Sequence, residues 1–424
     1  MITTRRLICA FFAGACVAAC APGGGGVVEP IIEAPVIAQE SAVPITAPRP
    51  NSSVARAPQR RSLPPSGVLT AGDIDDGLNL SALMRYQTRA ARHLKWQRMN
   101  LSKPVLAQLV GPTGTPAPGV RFTLRHPGAT DPFHEGYSGV DGMITAFPAV
   151  LDARRSDRIE LRAFPNDNGP ATQATLRTNG RRTIVALDTD HAWRPQFVDL
   201  VFVVDTTGSM TDEIEWLISD LGAIVKATAK GVDLRLGLVT YKSRGDVYTV
   251  RDYGFAKNRS QFQRWLQREL PTSGGGGYPE AVAQSLKTAV ALPWRRGRGE
   301  RLIIQIGDEP PHRDQVGVYY TAVQNAAVKG VQVFGLAASG AEAKVEFLMR
   351  QGAIATGGRY MFLTDDSGVG NAHAEPTVSC YRVTSLTNLM TRVLRSELTG
   401  RRTEAAPNAV KRSVGSYAGG VCRS

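Results

Sequence analysis

Between residues 198 and 399 the chain alternates two hydrophobic periods. VDLVFVV, LRLGLVTY, RLIIQIG, VQVFGLA and RYMFL are apolar at consecutive positions, which predicts strands buried on both faces, as in a parallel sheet. The segments between them repeat at three and four. Over residues 211–229, Ile214, Leu217, Ile218, Leu221, Ile224 and Val225 form one apolar stripe, with Asp212 and Glu213 placed in the first turn, where the helix dipole favours negative charge. VYTVRDYGF predicts a shorter, antiparallel strand. The pattern specifies a doubly wound, mainly parallel α/β sheet over 197–399.

The period changes upstream. From 104 to 190, VLAQLV, VRFTLR, ITAFP, RIELRAF, ATLRT and RTIVALD are short alternating segments parted by GPTGTPAPG, SGVDG, NDNGP and TNG, the spacing of a small all-β sandwich. The stretch GVRFTLR followed by GYSGVDGMITAFP resembles a transthyretin-like or carboxypeptidase-regulatory module, read as a spacer or binding unit. Residues 71–103 predict a turn and a short helix from about Ser81. Asp73, Asp75 and Asp76 do not make an EF-hand loop, because Gly77 is fifth and no distant glutamate follows. Residues 20–70 form a linker: nine prolines lie between 21 and 66 without sustained period, and at about 3.1 Å per residue such a chain reaches roughly 100 Å or more. Residues 400–424 read as a basic tail.

The first nineteen residues predict a signal peptide, with Arg5 and Arg6 ahead of the apolar LICAFFAGACVAAC. Val17-Ala18-Ala19-Cys20 resembles the lipobox of bacterial lipoproteins, which implies acylation of Cys20, a cell-envelope location and, with Ala21 next, sorting to an outer membrane; an ordinary signal peptide is the alternative. Losing Arg5 and Arg6 lowers the net charge from +13 to +11. An exported basic chain is expected to meet acidic polymer, anionic lipid or an acidic protein and not nucleic acid. Once the leader is removed and Cys20 acylated, Cys380 and Cys422 remain. In an oxidising compartment they predict one disulfide, with two free thiols as the alternative.

Candidate chemistry sits at strand ends. Asp205, Thr207 and Ser209 follow the first strand as DxTxS, and Asp308 follows another in RLIIQIGDEPPH. Neighbouring parallel strands end side by side, so these hard oxygen donors can converge on a magnesium, manganese or calcium ion. These residues resemble the von Willebrand factor type A family and its metal-ion-dependent adhesion site. The resemblance implies metal ligation by Asp205, Thr207, Ser209 and Asp308, a divalent cation that is most often Mg²⁺, and a protein partner whose Asp or Glu completes the coordination. GDEPPH is similar to the TDxPPH of one branch, and GGGGYPEA to its GGGDxPE. Gly277 stands where that branch carries its aspartate, so Thr272, Ser273, Glu280 or water has to fill the place; Glu280 is otherwise read as a first-turn helix residue.

Enzyme readings fit the residues less well. A haloacid-dehalogenase-like phosphatase needs a second acid where Thr207 stands. Ser209 lies in TGSMT and not in GxSxG, and neither a phosphate loop nor an HExxH pair occurs. The expectation is a non-catalytic binding protein. A metal-independent structural lipoprotein whose Arg401, Arg402, Lys411 and Arg412 contact acidic polymer is the second reading, and a magnesium-dependent phosphohydrolase the third.

Overall fold

A computed structural model describes residues 69–423 except 153, 155, 167–168, 229–230, 271, 276–278, 339 and 369–374. The leader, Cys20 and most of the linker therefore lie outside the described residues. No described helix is long and apolar enough to cross a membrane.

The centre is a nine-stranded sheet. Five parallel strands form its middle, in the spatial order Asp233–Tyr241, Phe197–Asp205, Glu300–Gly307, Gln332–Ala337 and Tyr360–Thr364. Val250–Phe255 closes one edge in the antiparallel sense. Phe197–Asp205 is buried at every position. Alternate side chains explain this: Val201 and Val203 enter one core while Leu200, Phe202 and Val204 enter the other. Helices Val282–Ala291 and Val316–Val328 cover the first face, and Thr211–Thr228 and Leu386–Thr399 the second. The chain leaves Phe197–Asp205 toward one side of the sheet and Glu300–Gly307 toward the other. A crevice therefore opens between the carboxyl ends of these two neighbours, the topological switch point where such sheets bind ligands. This is the doubly wound α/β fold that the resemblance to von Willebrand factor type A domains implies.

The sandwich also forms. Met143–Ala146, Val105–Val110 and Arg182–Ala186 make one sheet, and His134–Tyr137, Arg121–Arg125, Arg158–Phe164 and Thr172–Arg177 the other. They enclose Val105, Leu109, Phe122, Leu124, Ile159 and Leu161. Trp193, in the segment entering the α/β region, packs against the sandwich and donates to Glu397 O at 3.0 Å. Gly119 makes room for it: φ is +69°, and a Cβ there would lie 1.9 Å from the indole.

Two boundaries differ from the sequence reading. Residues 70–74, assigned to the linker and the helical segment, form a buried strand, Thr70–Ile74, inserted between Tyr360–Thr364 and Tyr381–Ser385 and antiparallel to both. Its sequence, TAGDI, hid it, because its buried Asp73 is matched by an arginine from a distant helix and the strand has no apolar run of its own. Asp73 accepts from Arg392; Asp75 from Arg402; Asp76 accepts from Arg350 at 2.8 and 2.9 Å, and Arg350 also holds Glu346 at 2.8 Å. Helix Leu80–Leu94 follows.

The tail is the second correction. Arg412–Val414 adds a strand to the large sheet, and Ser416–Ala418 pairs with Val421–Arg423 as a hairpin. Cys422 is bonded to Cys380. Arg402 and Arg412 are engaged internally, Arg412 with Asp366 at 2.8 Å and Glu375 at 2.9 Å, whereas Arg401 and Lys411 are exposed. The tail is an edge of the fold and not a free basic arm.

Replacing Arg350 by Ala would leave Asp76 and Glu346 buried without their counter-charge. The expected cost is about 3–5 kcal/mol of stability, measured as a lower denaturation midpoint with unchanged cooperativity; an unaltered midpoint contradicts the structural role given to this cage.

Candidate functional site

At the switch point the chain leaves Phe197–Asp205 through Thr206 and Thr207 into a short 3-10 turn, Gly208–Met210, and then helix Thr211–Thr228. Asp205 does not cap that helix. Its Oδ1 accepts from the backbone N–H of Thr207 at 2.9 Å and from the Thr207 hydroxyl at 2.7 Å. With its proton committed to Asp205, the Thr207 oxygen keeps lone pairs for another ligand. Ser209 Oγ lies 3.4 Å away.

Asp308 follows Glu300–Gly307, the strand beside Phe197–Asp205. Glu280 arrives from a third segment. Its backbone is bridged to Ser243 on one side and Pro311 on the other, and its N–H donates to Pro310 O at 3.1 Å. That pinning carries its carboxylate inward just before helix Val282–Ala291. Ligand oxygens of Asp205, Glu280 and Asp308 all lie within 4.8 Å of one another, and all three residues are buried.

The surroundings hold the first loop still. Lys242 Nζ donates to the carbonyls of Thr206 and Ser273, clamping the first loop to the second. Desolvation lowers the pKa of this ammonium. Thr206 Oγ1 lies 2.6 Å from Tyr248 Oη, which donates to Glu269 Oε2 at 2.6 Å, and Arg251 fixes the other Glu269 oxygen at 2.8 Å. Gly275, at φ +86°, lets the second loop lie against Thr207, because a Cβ would sit 2.9 Å from the threonine Cβ.

Burial pushes Asp205 well above the ordinary carboxylate range, with Glu280 and Asp308 adding to the shift. Burial likewise raises Glu280 to about 7, and it raises Asp308 against the opposing hydrogen bond from Ser209. Three such carboxylates cannot all ionise without a counter-charge. Asp205 Oδ2, Glu280 Oε2 and Asp308 Oδ1 are buried with no hydrogen-bond partner among the described residues. Orphaned carboxylate oxygens beside two hydroxyls are the donor set of a hard divalent cation, so the residues fit Mg²⁺, Mn²⁺ or Ca²⁺.

Of the sequence candidates, Asp205, Thr207, Ser209, Asp308 and Glu280 are therefore brought together. Thr272 is not in the carboxylate cluster: its hydroxyl contacts Thr211 Oγ1 and Gly208 O at the start of the first helix. Gly277 lies outside the described residues. Glu309 escaped the sequence reading; burial and then Asp308 raise it to about 7, and its Oε2 is also an orphan. Its place beside Asp308 in GDEPPH was the available signal.

The sequence matches no family model. It is 32% identical over 120 residues, 27% of this chain, to "Alpha-protein kinase vwkA" of Dictyostelium discoideum, and spans only 19% of that protein. Similar solved structures include a von Willebrand factor type A protein from Catenulispora acidiphila, at 11% identity over 72% of this chain and 52% of that one, TM-score 0.35. BatB from Bacteroides thetaiotaomicron is similar at 15% identity over 41% of this chain and 91% of its own, TM-score 0.31. The pilus adhesin SpaC from Lactobacillus rhamnosus GG is similar at 12% identity over 62% and 37%, TM-score 0.31.

A carboxyl whose folded pKa exceeds its unfolded value stabilises fully below the unfolded value and loses that contribution as pH rises through the folded one. For Glu280 the window runs from 4.5 to about 7. With EDTA present, the melting temperature should fall across this window; added Mg²⁺ should oppose the fall, binding more tightly as pH rises because its ligands must be deprotonated. Melts that do not change with pH or Mg²⁺ contradict the assignment.

Proposed function

We propose that residues 197–399 act as a von Willebrand factor type A binding domain, in which Asp205, Thr207, Ser209, Asp308 and Glu280 hold a divalent cation, most simply Mg²⁺. The observation that carries this reading is the buried trio of carboxylates with unpartnered oxygens, delivered by three separate segments to the switch point. Glu280 supplies the acid that Gly277 cannot. Bound there, the ion would supply positive charge and a coordination position for a carboxylate of the partner.

The chain's own residues do the rest. Asp205 orients Thr207; Lys242 and the Tyr248–Glu269 pair fix the loop; the buried carboxylates neutralise the ion. Ser209 is half-buried and Gly208, Ser273 and Gly274 are exposed, which gives a partner access from that side. Affinity then grows from the contacts surrounding the site and not from the single coordinate bond. The arrangement supplies no elbow nucleophile and no acid at position 207, which favours binding over hydrolysis.

The chain is further proposed to be an envelope lipoprotein, acylated at Cys20 and held at the outer membrane through its proline-rich linker. The support is the Val17-Ala18-Ala19-Cys20 motif together with a covalent bond between the two cysteines of the folded region. The polymer-binding alternative is weakened by the internal engagement of Arg402 and Arg412.

In affinity capture from solubilised envelopes, a partner should elute with EDTA and be restored by Mg²⁺. Asp308→Ala should reduce capture at least tenfold, a loss of about 1.4 kcal/mol, without unfolding the chain. Capture that responds to salt but not to chelator would favour metal-free contact with acidic polymer.

A further inference from the structure

Helix Leu80–Leu94 buries Leu80, Leu83, Tyr86 and Gln87 and turns its other side to solvent. Arg85, Arg89 and Arg92 lie on that exposed side at intervals of four and three, one stripe of a helix. His93, Lys95 and Arg98 extend it and are exposed as well.

No carboxylate answers this stripe. From Gly77 to Thr130 the chain carries neither Asp nor Glu. Among the described residues, no ion pair reaches Arg85, Arg89, Arg92 or Lys95. The packed helix Ala343–Thr356 offers Glu346, but Arg350 occupies it; Glu342, just before that helix, lies 3.4 Å from Lys344. The arginines inside the fold differ: Arg350, Arg392, Arg402 and Arg412 each meet acids. Other exposed cations without an ion pair, such as Arg177, Arg181 and Arg182 on the sandwich, lie away from this helix, where Arg85, Arg89 and Arg92 share one face.

Position along the chain selects an occupant. This helix follows the first strand of the described fold, directly after the linker that starts at Cys20. An anchor at Cys20 would tether the fold through this end of the chain, and the helix is the first one after the tether. Among the described residues the large exposed apolar side chains, Ile184, Val247, Val328 and Val421, lie elsewhere, so contact by this helix would be by charge and not by insertion.

We propose that the Arg85–Arg89–Arg92 stripe docks on the anionic headgroups of a membrane surface, holding the folded region against the bilayer. The proposal takes its direction from the lipoprotein reading, but its test does not require acylation.

The full chain carrying Cys20→Ser would be sedimented with vesicles of phosphatidylcholine alone or with one third phosphatidylglycerol. Binding should require the anionic lipid and be released as salt rises to about 0.5 M. Arg85→Gln/Arg89→Gln/Arg92→Gln should weaken it roughly 100-fold with an unchanged melting temperature. The leader is common to both proteins, so the difference reports the stripe. Equal binding by the variant, or equal binding to neutral vesicles, would overturn the proposal; so would binding to soluble alginate in the absence of vesicle binding, which would assign the face to acidic polymer. Absence of acyl mass on Cys20 in cells would remove the lipoprotein reading and leave the vesicle result standing.

Discussion

Mutual repulsion among Asp205, Glu280 and Asp308 is the constraint around which the fold is arranged. Their ligand oxygens fall within 4.8 Å in a buried site, where Coulomb repulsion is far stronger than in water. The sheet creates this proximity, because adjacent parallel strands end in register and the chain departs from them in opposite directions. A third carboxylate, pinned by backbone bridges to residues 243 and 311, completes it. The fold bears this cost at the place where a cation would relieve it.

Much of the remaining structure serves to keep that place rigid. The two central strands are apolar on both faces and held between helical layers, which leaves little freedom to separate their ends. Lys242 ties two loops together, and the hydrogen bonds from Thr206 through Tyr248 to Glu269 extend that hold to the antiparallel edge. On the far side of the sheet both ends of the described chain are recruited. The strand at 70–74 and the strand at 412–414 lengthen it, joined to the helices by arginine–aspartate pairs and to the tail by the Cys380–Cys422 bond.

The sequence was legible where side-chain period and burial agree. Consecutive apolar residues at 197–205 and 300–307 require a sheet covered on both sides, and the DxTxS motif after one of them marked the crevice. Glu280 was ambiguous, since a glutamate after proline at a helix start is usually a first-turn residue; only the bridges to distant loops turn it inward. Thr70–Ile74 was illegible for a different reason. Its one buried acid, Asp73, is compensated by Arg392, and Asp75 and Asp76 just beyond it by Arg402 and Arg350, all from hundreds of residues away, and no local pattern carries that information. The tail misled in the same manner, because a count of arginines does not show that Arg402 and Arg412 have internal partners.

The most direct measurement is an anomalous difference map from crystals of the folded region equilibrated with Mn²⁺. One strong peak should appear among Asp205, Thr207, Ser209, Glu280 and Asp308, and should vanish in Asp205→Ala crystals. A map with no peak there, and the three carboxyl groups still clustered, would contradict the account.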